Sequence, residues 1–110
     1  MFGLFRRRPA APSVEELSKL TAEAVEDVKA KWMDFVQTVH VEADIPLSRK
    51  IEAFAPLVGT FYKHKYPALY KGPATAFWVI IFTAIQESAT HSANEINAAY
   101  EELREQYELT

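Results

Sequence analysis

ATAFWVIIFTAIQESATHSANEINAAYEELREQY, residues 74–107, follows the breaker Lys71-Gly72-Pro73 and contains neither glycine nor proline. Its apolar positions are Trp78, Phe82, Ile85, Ala89, Ala93, Ile96, Tyr100, Leu103 and Tyr107, separated by steps of 4, 3, 4, 4, 3, 4, 3 and 4. This near-heptad stripe excludes the period of two that a strand requires. It predicts one continuous helix of roughly 34 residues, about 50 Å long at the α-helical rise. Gly72 suits the N-cap of that helix and Pro73 its first helical position.

The stretch has two characters. Residues 76–85 are apolar on every side, which calls for other protein to wrap them, and the run falls well short of the ~20 residues of a membrane span. Gln86 and Glu87 end it sharply. From Glu87 onward the pattern is a narrow apolar seam on a broad polar face, closer to a coiled-coil seam than to a wide core face.

Two more helices precede it. Pro12 followed by Ser13-Val14-Glu15-Glu16 is a capping box, and Leu17, Leu20, Ala24, Val25, Val28, Trp32, Phe35, Val36 and Val39 recur at helical spacing up to an expected end near His40. Asp44 is the expected N-cap of the second helix, with Pro46 in its first turn, and Leu47, Ile51, Phe54, Val58, Phe61 and Tyr62 share its face. Pro56 lies inside that pattern, with Gly59 three residues on, so a kink is expected there. A turn or one short helical turn is expected over 68–71. The fold class is therefore all-α: an up-down-up three-helix bundle with a long C-terminal helix. Residues 1–12 form a tail and 13–110 a single helical domain.

Composition narrows the function. The 110 residues carry a net charge of −3, which gives no electrostatic footprint for nucleic acid. With no cysteine there are no disulfides, thiol nucleophiles or thiolate metal sites, as befits a reducing compartment. Residues 1–5 are too short for the apolar core of a secretory signal, and Arg6-Arg7-Arg8 follows them instead of preceding them. A cytoplasmic location is expected, with contact to a membrane surface as the alternative. Three isolated glycines allow no phosphate loop, dinucleotide fingerprint or nucleophile elbow. Glu87, His91 and Glu95 fall at i, i+4 and i+8 on one face, a carboxylate–histidine–carboxylate row of the kind that suits a divalent metal. Its bland reading, a solvated polar face, is the preferred one. No enzyme activity, cofactor or metal is expected.

Two surfaces remain. The seam Ala89, Ala93, Ile96, Tyr100, Leu103 and Tyr107 is longer than two other helices comfortably cover, which points to a homodimer through the C-terminal helix. A protein–protein interaction module is thus the first functional expectation. The second is a peripheral membrane protein. Phe2, Leu4 and Phe5 would enter the headgroup region, and Arg6, Arg7 and Arg8, with Lys63, Lys65, Tyr66, Tyr70 and Lys71, would meet anionic lipid.

Overall fold

Ser13 opens the first helix as its spacing to Glu16 requires. In the computed structural model, which describes residues 13–38, 45–72 and 74–107, Glu16 N–H donates to Ser13 Oγ at 3.1 Å and Ser13 N–H donates to Glu16 Oε1 at 3.2 Å. The reciprocal pair satisfies two orphan donors of the first turn. Helix α1 then runs Val14–Thr38 and buries Ala24, Val25, Val28 and Trp32. Its expected end at His40 lies outside the described residues.

Helix α2 is Leu47–Lys65. Pro46, not Asp44, holds the N-cap position, with φ −60° and ψ 147° and no side-chain cap. Its carbonyl accepts from Arg49 N–H at 3.1 Å and Lys50 N–H at 3.3 Å. Asp44 itself lies outside the described residues. Pro56 and Gly59 both sit within α2, and Pro56 is on its exposed face. The proline has no N–H for the Glu52 carbonyl, and on that face water can serve the carbonyl instead. One short helix, α3, Pro67–Tyr70, follows the elbow at Tyr66.

The long C-terminal helix predicted from the apolar stripe is two helices, α4, Ala74–Ser88, and α5, Ala93–Tyr107. Among the described residues five helices thus replace the three that spacing predicts. The break has local causes. Ser88, Thr90 and Ser92 carry hydroxyls that compete with the helical ladder. Ser88 Oγ–H donates to the Ile85 carbonyl at 2.6 Å, and Ala89 turns into the left-handed region at φ 56°. Ser92 and Glu95 then close a second capping box, with Glu95 N–H on Ser92 Oγ at 3.2 Å and Ser92 N–H on Glu95 Oε1 at 3.0 Å. A long-range bond pins the turn: the Trp32 indole N–H donates to Thr90 Oγ1 at 2.9 Å.

Side-chain pairs fix the direction of each helix. Lys29 faces Glu87 and Trp32 meets Thr90, so α4 runs parallel to α1. Asp27 meets Lys65 and Tyr66 while Phe35 meets Phe54, so α2 is antiparallel to α1. Trp78 lies against Tyr107 and Phe82 against Tyr100, so α5 folds back antiparallel on α4. Ser48 bonds Glu102, and Glu52 takes Gln106 and Tyr107, which sets α5 alongside α2 in parallel. The helices α1, α2, α5 and α4 therefore stand round a shared core, each packed on its two neighbours. Ala24, Val28, Trp32, Ile51, Ile81, Ala84 and Ile85 are sealed at its centre. The run 76–85 is not wrapped on all sides as expected: Val79 is 60% exposed.

Candidate functional site

The break at Ala89 redistributes the seam of the last helix. Ile96 and Leu103 are buried inside the chain, at 8% and 1% exposure, against residues of the other helices. Each contributes roughly 1.5–3 kcal/mol to the bundle by leaving water. The interface expected across these two side chains is corrected accordingly, since their apolar surface is spent within the fold. Tyr100 is half-buried, its ring edge-on to Phe82 at 5.4 Å. Tyr107 is 43% exposed, tilted on Trp78 at 5.2 Å, and its hydroxyl donates to Glu52 at 2.9 Å. Ala89 and Ala93 are exposed beside the turn.

What stays open is the outer side of the α4–α5 hairpin. Thr75, Val79 and Gln86 flank Phe82 on α4, and Asn97 and Arg104 flank Tyr100 on α5, at three- and four-residue spacings that put them on one face. Glu87 is the one charged side chain of α4, and it turns to Lys29 of α1 at 3.9 Å. On α5, Arg104 is held by Glu101 at 3.0 Å. The hairpin therefore presents a nearly neutral face in a chain with 25% charged residues.

A second feature lies at the end of the bundle where α2, α3 and α4 meet. Gly59, Tyr62, Leu69, Tyr70, Gly72, Ala74, Phe77 and Trp78 line a cleft of about 330 Å³. No carboxylate or cation is among them. Tyr62 is 1% exposed, and its hydroxyl has no hydrogen-bond partner among the described residues. Burial pushes its phenol pKa up, so the group stays a neutral donor. Periodicity marked Tyr62 only as a core position; nothing local in the sequence signals that its hydroxyl is left unmatched.

Glu87, His91 and Glu95 turn to separate partners. Glu87 turns to Lys29, Glu95 caps Ser92, and His91 Nδ1 lies 3.0 Å from Thr90 Oγ1 beside the Trp32 ring. Burial, with Lys50 nearby, lowers the His91 pKa, which favours a neutral ring in this network. Hydrogen bonds from Ser92 hold the Glu95 carboxyl below its ordinary range. Among the described residues no group of three acids or histidines is placed to hold a metal.

The expected lipid-contact patch divides. Phe2, Leu4, Phe5, Arg6, Arg7 and Arg8 lie outside the described residues. Tyr66 is corrected to a core residue: it is 2% exposed, and its hydroxyl donates to Asp27. Burial and that carboxylate push the Tyr66 pKa up to about 12. Lys65 also serves Asp27, at 2.7 Å, and together the Lys65 and Tyr66 hydrogen bonds lower the Asp27 pKa. Lys63, Tyr70 and Lys71 remain exposed, with the Lys63 ammonium 5.5 Å from the Tyr70 ring centre. Among the described residues no helix is long and apolar enough to cross a membrane. No protein-family model, curated protein or solved structure matches the chain.

Proposed function

We propose that this chain is a non-enzymatic helical interaction module that pairs with a second copy of itself through the outer face of the α4–α5 hairpin. Val79 carries the reading: a 60%-exposed β-branched side chain on a helix with one charged residue. A neutral face lets two copies meet without setting like charges against each other, and a two-fold contact uses the same patch twice. Ala93, Tyr100 and Tyr107 belong to this face or its edge, and Ile96 and Leu103 support it from beneath. Helices of 15 residues make the face about 22 Å long, two helices wide. That is smaller than the ~800 Å² per partner of tight complexes, so the dimer is expected in the micromolar range. The same reading takes α2 as bent at Pro56 around the bulky Trp78–Phe82 region.

Sedimentation velocity across the micromolar range tests it. The expected mass rises from 12.5 kDa toward twice that value with concentration, and Val79→Lys holds it at the monomer. A single 12.5 kDa species at hundreds of micromolar contradicts the proposal. The alternative reading is contact with an anionic membrane surface, favoured by Lys63, Tyr70 and Lys71 standing exposed together. Flotation with phosphatidylserine vesicles, lost on Lys63→Glu/Lys71→Glu, would support it, and absence of flotation ends it.

A further inference from the structure

The cleft between α2, α3 and α4 does not belong to the proposed dimer face, and its chemistry points to a different kind of occupant. We propose that it binds a small uncharged ring compound carrying a hydrogen-bond acceptor, such as an aryl ketone, with the Tyr62 hydroxyl as the donor.

Three observations carry this. The first is size. The cleft measures about 330 Å³, at the lower end of small-molecule sites and about twice the volume that accommodates benzene in an engineered apolar cavity. A two-ring molecule suits it. The second is the lining, which is aromatic and aliphatic with no charged side chain: Tyr62, Leu69, Phe77 and Trp78 supply the walls. An ion would lose its hydration there and find no counter-charge. The third is the hydroxyl. A buried polar group without a partner is destabilising, and buried hydroxyls are almost always matched. Tyr62 sits 1% exposed against the Phe77 ring at 5.0 Å, and nothing in the described chain accepts its proton.

Gly59 agrees with this reading. It lies in the interior of α2, where glycine is the poorest residue short of proline. Its φ is not positive, so no left-handed turn requires it. A Cβ there would meet the Phe77 ring at 3.9 Å, ordinary contact distance, so close packing does not require it either. What the missing side chain does is leave the cleft wall open.

The test uses the full chain and two probes of matched shape, 2-acetylnaphthalene and 2-isopropylnaphthalene, followed by amide chemical shifts. The ketone is expected to shift Gly59, Tyr62, Leu69 and Gly72 and to bind about tenfold more tightly than the hydrocarbon, the range of one neutral hydrogen bond. Tyr62→Phe removes only the hydroxyl and should bring the ketone down to the affinity of the hydrocarbon. Gly59→Leu fills the cleft and should abolish both, with the dispersion of the remaining spectrum intact. Equal affinities of the two probes for the wild-type chain overturn the proposal. So do shifts that survive Gly59→Leu. No localised shift with either probe at millimolar concentration leaves the hydroxyl serving a water only, and also overturns it. The sedimentation behaviour of Gly59→Leu is expected to match the wild type, which keeps this test separate from that of the dimer.

Discussion

Replacing Ala89 by glycine separates a turn from a helix by the sign of the effect. Ala89 holds φ 56° between α4 and α5. The left-handed conformation costs an alanine ~1–2 kcal/mol, and glycine avoids that cost. The greater freedom of glycine in the unfolded chain takes back ~0.5–1 kcal/mol. The net expectation is a gain of about 0.5–1 kcal/mol. Were residues 74–107 one helix, the same change would put glycine in a helix interior and cost about 1 kcal/mol. Ser92→Ala runs the opposite way. It loses the side-chain cap bonded to Glu95 N–H and should cost about 1 kcal/mol, whereas in a continuous helix alanine for serine would stabilise slightly. Urea denaturation and thermal melting read both variants. At roughly 4 °C per kcal/mol for a domain of this size, Ala89→Gly should raise Tm by about 2–4 °C and Ser92→Ala should lower it by about 4 °C. A lower Tm for Ala89→Gly together with a higher one for Ser92→Ala refutes the break.

Stability should fall at both ends of the pH scale through the Asp27–Tyr66 pair. Tyr66 has its pKa raised from 10.0 to about 12, so its contribution is complete below pH 10 and is lost as the pH climbs through that window. Asp27 has its pKa lowered from 3.8, so its contribution is present above that value and is lost as the pH falls through the depressed one. Denaturation across pH should show Tyr66→Phe flattening the alkaline limb, and an unchanged limb would count against the pairing. Pro56→Ala should stabilise the chain by up to ~3 kcal/mol, since it restores a helical N–H on the exposed face of α2. A loss of stability in the same urea assay would mean that Pro56 itself is needed for packing.

The all-α class was legible in the sequence, and so was the start of α1, because both rest on strong local signals: helical spacing of large apolar residues and a serine three residues before a glutamate. The break at residues 89–92 was written in the same code. Ser92 stands to Glu95 as Ser13 stands to Glu16. It was masked because the only stripe positions bridging Ile85 and Ile96 are Ala89 and Ala93. Alanine has too little side chain to show which way it faces, so a seam drawn through two alanines is satisfied equally by a helix and by a turn. The competing hydroxyls of Ser88, Thr90 and Ser92 were the counter-signal. Once the chain folds back, Ile96 and Leu103 find cover within it, and the proposed interface moves outward to Val79.

The sites follow the same division. Exposure of Val79 could not be read from a run that is apolar on every side, because only the packing of α1 and α5 decides which side stays open. Tyr66 and Lys65 read as a basic-aromatic surface, yet their partner Asp27 lies 38 residues from Lys65 in sequence, beyond the reach of any local pattern. The cleft at Tyr62 depends on three elements meeting, and Gly59, noted only as an irregularity beside Pro56, is its clearest trace in the sequence.

The folding back of α5 on α4 is the claim on which the proposed dimer face and the buried seam both depend, and one distance tests it. The chain contains no cysteine, so spin labels at Ala74→Cys and Glu105→Cys, both exposed positions, report a single pair when measured by double electron–electron resonance in protein diluted with unlabelled chain. A hairpin of adjacent helices, ~8–10 Å between axes, places the labels within about 25 Å of each other. A distance near 45 Å, the length of the straight helix over that span, would contradict the account.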